Sequence, residues 1–215
     1  MRFNYLVKPK DQMGSEDGKT EEKILEAAKS IFMKYGLYGA RMQDIADTAG
    51  INKALLHYYF RNKEKLFDAV FEGALEKYFD QMTVISDVSL PLQERVNRYI
   101  DNIFDFFTEY PQMTIFIIKE ISSNPDLFRQ KVETLKGSKG PYLIESLREA
   151  MKKGEMPEFD PVTFLLNLHS LCAYPFLASP IFRVICEKHG SPWNKETQEK
   201  LKQSVKDFVS YKFNN

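Results

Sequence analysis

Cysteine, tryptophan and histidine are scarce in this chain: two, one and three among 215 residues. Two cysteines, Cys172 and Cys186, make no disulfide framework, so an apolar core must hold the fold, with both thiols read as small, reduced core residues. Long apolar runs are also missing. None exceeds the four residues seen in Ile115–Ile118, whereas a bilayer crossing takes about 20. Met1 to Lys8 lacks the apolar core of a signal peptide, so the expectation is a cytoplasmic protein with no membrane partner. Glycine-rich phosphate loops, His-Glu-x-x-His and nucleophile elbows are absent. So is the alternation of a strand, and no internal repeat is visible. The carboxylates form no recognisable catalytic pair, and the expectation is not an enzyme, with no cofactor. His169 and Cys172 lie three apart on one helical face without nearby Cys or His partners. They read as a structural histidine beside a core thiol, with no metal site.

Net charge is absent too, with 30 basic and 30 acidic side chains, but its distribution is uneven. Residues 1–66 hold 12 basic and 9 acidic groups, net +3, and the remainder balances them at −3. That pattern suits a DNA-reading head on an acidic body that the duplex would repel.

What the chain does have is concentrated between Met42 and Lys63. Ile45, Ala49, Ile51, Leu56 and Tyr59 fall where two crossed helices need apolar side chains. Ala46 sits at their closest approach, and Gly50 at a turn that requires positive φ. Asn52 can cap the second helix by accepting a free N–H of its first turn. A plain helical hairpin would explain this spacing equally well. It would not explain why Lys53, His57 and Tyr58 all turn outward, followed by Arg61, Lys63 and Lys65, with no acid between Asn52 and Lys63. The pattern is therefore read as a helix-turn-helix. Lys53 and Lys63 are assigned to phosphates, and Gln43, Ala54, Leu55 and Tyr58 to base edges or thymine methyls.

The segments Asp44-Ile45-Ala46, Ala49-Gly50-Ile51, Leu56-His57-Tyr58-Tyr59-Phe60 and Lys63-Glu64-Lys65-Leu66 resemble the signature of TetR/AcrR-type transcriptional regulators, over about residues 20 to 67. Two positions depart from that signature. Ala40 and Arg41 stand where the family often has a hydroxyl pair, and His57 replaces the usual first tyrosine of the recognition helix. Both positions commonly touch phosphate in the family. Arg41 would then supply a charged contact, and His57 a hydrogen bond that strengthens on protonation. The resemblance implies an all-α, homodimeric, one-component regulator, usually a repressor that a small ligand releases from its operator.

The domain reading follows: a flexible arm over 1–19, a three-helix DNA-binding head over 20–66, and a larger helical ligand-binding and dimerisation body over 67–215. Thr20 is read as the cap of the first helix, which Gly36 ends. A long helix over Asn62–Met82 links head to body. Further helices are read from Pro91, Gln112, Asn124 (interrupted around 137–141), Asp160 and Asn194, with Pro175 and Pro180 bending or breaking the apolar segment after Val162.

In the body, Phe104, Phe107, Phe116, Tyr142, Phe164, His169 and Cys172 have a plain reading as core. Their other reading is the lining of a cavity for a small hydrophobic effector. Leu201, Val205, Phe208 and Val209 form one stripe on the last helix and are assigned to the dimer interface, together with the apolar helix from Val162. The expected partners are thus a palindromic double-stranded operator, a second copy of the chain and the effector. Two rivals remain open: a DNA-binding regulator with a fully packed, ligand-free body, and an enzyme whose helix-turn-helix is incidental.

Overall fold

Ten α-helices, one short 3-10 turn and the helical residues 125–126 and 129–130 account for the ordered elements in a computed structural model that describes residues 16–126, 129–130 and 142–214, apart from the side chains of residues 16, 86 and 142. No strand occurs among these residues. The chain divides into two compact units, the first ending at Ala74 and the second starting at Leu75.

The first unit begins with α1, Glu16–Gly39. The helix opens earlier than Thr20, which lies inside its first turns and is not its cap. Gly36 interrupts the helix with φ 67° and ψ 179°, a left-handed turn that glycine enters without a Cβ clash. Helix α2 spans Met42–Ala49 and α3 spans Lys53–Tyr59. Between them Gly50 sits at φ 68°, and the Ile51 amide closes the turn on the carbonyl of Ala46 at 3.0 Å. Asn52 caps α3 as its type and place foretell, its Oδ1 accepting from the Leu55 amide at 2.8 Å. Ile45, Ala46 and Leu56 are fully buried. They pack into a core with Ile24, Ala28 and Phe32 of α1, where the edge of Phe32 meets Phe67 at 5.0 Å.

Helix α4, Lys63–Asp80, starts in this unit and ends in the next. Asn62 precedes it and accepts from the Lys65 amide at 2.9 Å, a second asparagine cap.

The second unit continues through the 3-10 turn Thr83–Ser86, α5 (Leu92–Glu109) and α6 (Pro111–Ser123). It then adds α7 (Tyr142–Lys152), α8 (Pro161–Leu177), α9 (Ser179–Lys188) and α10 (Lys195–Asn214). The break expected around 137–141 lies outside the described residues. Helix α5 is central, packing against the 3-10 turn, α6, α8 and α10. Its inner face carries Val96, Tyr99, Ile100, Ile103, Phe104 and Phe107, spaced at three and four residues. Asp160 caps α8 through the Thr163 amide at 2.6 Å, and Asn194 caps α10 through Thr197 at 3.0 Å.

Pro175 does not end its helix. Helix α8 runs through it to Leu177, and the chain turns 75° only at the junction with α9, where Pro180 occupies the first turn. Among the described residues no single helix is long and apolar enough to cross a membrane. Helices α8 and α9 together approach that composition, but across this bend, and Phe164, Leu168, Cys172 and Phe176 of α8 are buried in the protein itself.

Candidate nucleic-acid interface

The cap on α3 fixes which side chains can face outward. With Leu56 directed into the core, Lys53, Ala54, Leu55, His57 and Tyr58 are all exposed, Tyr58 by 80%. Gln43 on α2 and Arg41 just before it are exposed as well. Arg41 makes no side-chain cap on α2. Seven of the eight residues assigned to DNA therefore have solvent-facing side chains.

Lys63 differs from that assignment. It is half-buried, and its Nζ donates to the carbonyl of Ala40 at 3.0 Å. Its ammonium thus joins the first turn of α4 to the segment entering α2. Two other candidates are held in place: Gln43 Nε2 donates to Asp47 Oδ1 at 2.8 Å, and His57 Nδ1 donates to the Arg61 carbonyl at 3.3 Å. Tyr58 meets the ring of Tyr59 edge-on at 5.5 Å. Tyr59 in turn donates its hydroxyl to Asp17 Oδ1 at 2.9 Å. Asp17 lies 42 positions away in the stretch assigned to the arm, and no local pattern points to it.

The candidate pocket residues of the second unit are partly brought together. His169 of α8 lies between two tyrosines, its Nε2 2.7 Å from the Tyr78 hydroxyl on α4 and its Nδ1 2.8 Å from the Tyr99 hydroxyl on α5. Burial holds the imidazole below its ordinary value and pushes both phenols well above theirs. Cys172, one turn further along α8, is fully buried and its thiol is pushed up to about 12 by desolvation. It is a core sulfur with little thiolate character. Phe107 lies 6.4 Å from His169 and 5.6 Å from Phe176, which also meets Phe104 at 5.4 Å. Phe116 is buried on α6. Phe164 packs with Phe159 at 5.2 Å and with Phe213 at 5.5 Å, near the start of α8. Tyr142 opens α7, and its side chain lies outside the described residues. Neither tyrosine partner of His169 was singled out by sequence. Among the described residues no group of three His, Cys, Asp or Glu converges to hold a metal.

The interface stripe on α10 needs correction. Val205 and Val209 are buried within the protomer, on the same face as Phe213, so they cannot meet a partner. Leu201 is half-buried. Phe208 remains 40% exposed, and Tyr211 is exposed three residues on. Helical periodicity identifies an apolar stripe but not which body covers it, and here the protomer's own core does.

Residues 24–70 match the tetR family of bacterial regulatory proteins. The chain is 29% identical over 176 residues to the HTH-type transcriptional regulator YhgD of Bacillus subtilis, covering 81% of this chain and 87% of that one. It is 26% identical over 138 residues to the transcriptional repressor NicS of Pseudomonas putida, covering 64% of each. The solved structure of SCO4942 from Streptomyces coelicolor shares the fold with a TM-score of 0.64, at 24% identity, over 88% of this chain and 97% of that one. A matching head, relatives that extend well into the body and a shared helical fold agree: residues 24–70 form a tetR-type helix-turn-helix head, and the chain as a whole is similar to helix-turn-helix transcriptional regulators of that family.

Proposed function

We propose that the protein is a homodimeric repressor that grips a palindromic operator with one α3 helix per protomer and releases it when a small, mainly apolar molecule binds in the body. The observation that carries this reading is the division of α3. Leu56 alone is buried, while Lys53, Ala54, Leu55, His57 and Tyr58 form an exposed surface free of acids. A helix of this shape enters the major groove, Lys53 and Arg41 holding phosphates while Ala54, Leu55 and Tyr58 meet base edges. Lys63 acts indirectly, by fixing how α2 and α4 meet.

Two-fold pairing follows from the exposed apolar surface of the body. Val162, Leu166, Leu171 and Tyr174 of α8 are between 39% and 62% exposed, and Phe208 and Tyr211 of α10 are open too. Patches of this kind are uncommon on a stable monomer. Packing α8 and α10 on their symmetry mates buries them in a four-helix bundle and sets the two recognition helices about 34–36 Å, or a multiple of that, apart. The relative NicS is a repressor, and repression is the direction we assign here. The aromatic groups around His169 supply the mostly apolar surroundings, with few polar atoms, that suit an effector.

The test is selection of a random duplex library on the purified full chain, followed by sequencing of the bound fraction. An enriched inverted repeat is the expected result. Enrichment of single half-sites, or none, defeats the dimeric reading.

A further inference from the structure

The row Tyr78–His169–Tyr99 contains more protons than its hydrogen bonds use. Burial keeps the imidazole neutral, so it offers one N–H and one lone pair. Each tyrosine adds one O–H. Three protons therefore serve two bonds, whichever nitrogen of His169 carries its own. One hydroxyl proton is left over. Neither hydroxyl makes a further hydrogen bond among the described residues.

The position of that proton follows from depth. Tyr99 is 1% exposed, whereas Tyr78 is only half-buried. An unsatisfied donor costs more the further it lies from water, so Tyr99 donates to Nδ1. Nε2–H then donates to the Tyr78 oxygen, and the free proton belongs to Tyr78. Cys172 is the neighbouring polar group that both phenols feel, and a thiol sulfur is a weak acceptor.

The geometry points to the Tyr78 hydroxyl as the hydrogen-bond donor that recognises the effector, and to neutral molecules carrying a carbonyl-type oxygen on an apolar frame as the effector's class. This rests on the effector reading above and adds its chemistry. The surroundings select for the frame: the rings of Phe106 and Phe107 lie 5.7 and 6.5 Å from that of Tyr78. They also select against an anion, which would lose its hydration here without a counter-charge. Among the described residues no lysine or arginine is hydrogen-bonded to any of the three groups, and the adjacent Lys77 ammonium lies over the Tyr110 ring at 3.5 Å. Tyr78 also stands near the end of α4, the helix whose first turn holds Ala40 through Lys63.

Matched probes test the assignment on the full-length protein: acetophenone against ethylbenzene, benzophenone against diphenylmethane, and benzoate as the anion. Trp193, the sole tryptophan, reports binding by fluorescence, since its ring lies 5.8 Å from Phe176 and so adjoins this cluster. Each ketone should bind roughly tenfold more tightly than its hydrocarbon, the worth of about one hydrogen bond. The ratio should fall to about one in Tyr78→Phe, and benzoate should bind more weakly than acetophenone. Equal binding of ketone and hydrocarbon by the parent protein overturns the assignment, and this comparison needs no folded variant. Binding of no probe, a ratio that survives Tyr78→Phe, or tightest binding by benzoate does the same. Operator affinity measured in the same samples separates the two readings. A ketone preference without DNA release rejects the effector reading and keeps the Tyr78 donor. Equal release by ketone and hydrocarbon keeps the effector reading and rejects the donor.

Discussion

Lys63 and Ala40 are joined across 23 residues, the ammonium of one donating to the carbonyl of the other at 3.0 Å. A lysine that the motif alone offers to phosphate thus ties the start of α4 to the entry of α2. The same side chain has two further N–H donors, but its position is set inside the head.

Lys63→Ala and Lys53→Ala should therefore differ in kind. Loss of the exposed Lys53 should weaken binding to every sequence and reduce the salt slope by about one. Loss of Lys63 should destabilise the fold by about 1 kcal/mol, a charge-assisted bond discounted for partial exposure. It should weaken DNA binding with a smaller change in slope. Operator affinity at four salt concentrations, beside urea unfolding, distinguishes them. Equal loss of slope in both variants would return Lys63 to the phosphates.

The neighbours Leu55 and Leu56 provide a second contrast. Leu56 is fully buried and Leu55 is 37% exposed. Leu56→Ala should cost about 2–5 kcal/mol of stability through the cavity it leaves. Leu55→Ala should stay within about 0.5 kcal/mol, while operator discrimination falls. Urea unfolding that ranks them in the opposite order would show α3 to be turned differently.

Stability should depend on pH through His169. Its folded value is lowered by burial from an ordinary 6.5, so the unfolded chain takes up the proton more readily. The folded state accordingly has its full advantage above pH 6.5, and loses it as pH falls from there toward the depressed folded value. His169→Phe should flatten this part of the stability curve. A parent curve that stays level between pH 7 and 5, after correction for carboxylates, would contradict the buried neutral imidazole.

Assembly should respond to the outer residues and not to the inner stripe. Leu166→Glu on α8, at a position 62% exposed, should give a folded monomer by light scattering at micromolar concentration. Val209→Glu, at a fully buried position, should unfold the body. A dimer that persists in Leu166→Glu would place the interface elsewhere.

The head was readable because its determinants are local. Gly50, Asn52, Ile45, Ala46 and Leu56 act on neighbours within a turn or two, where spacing and turn chemistry suffice. The link from Lys63 to Ala40 spans 23 positions, and those from His169 to Tyr99 and Tyr78 span 70 and 91. No periodicity encodes pairings at such separations. His169 stood out as a polar residue on an apolar helix, but its partners looked like any other core aromatics. Val205 and Val209 show the complementary limit. A stripe with the right period can be covered by the chain itself or by a second copy, and only tertiary packing decides. The early start of α1 was obscured because Thr20 is as good a cap in isolation as Asn52 or Asn194.

The cap on α3 has a consequence for recognition that concerns phase rather than stability. Successive residues on an α-helix are separated by about 100° of rotation. If α3 began one residue later, Leu56 would swing out of the core and Tyr58 would leave the outer surface. The bond between Asn52 and the Leu55 amide pins the first turn at one angular setting. In the proposed docking, that single contact decides which side chains are turned toward a base pair, although Asn52 itself need touch none. Proteins with the same α3 residues but a displaced cap would present a different face to the groove, and so would read different DNA.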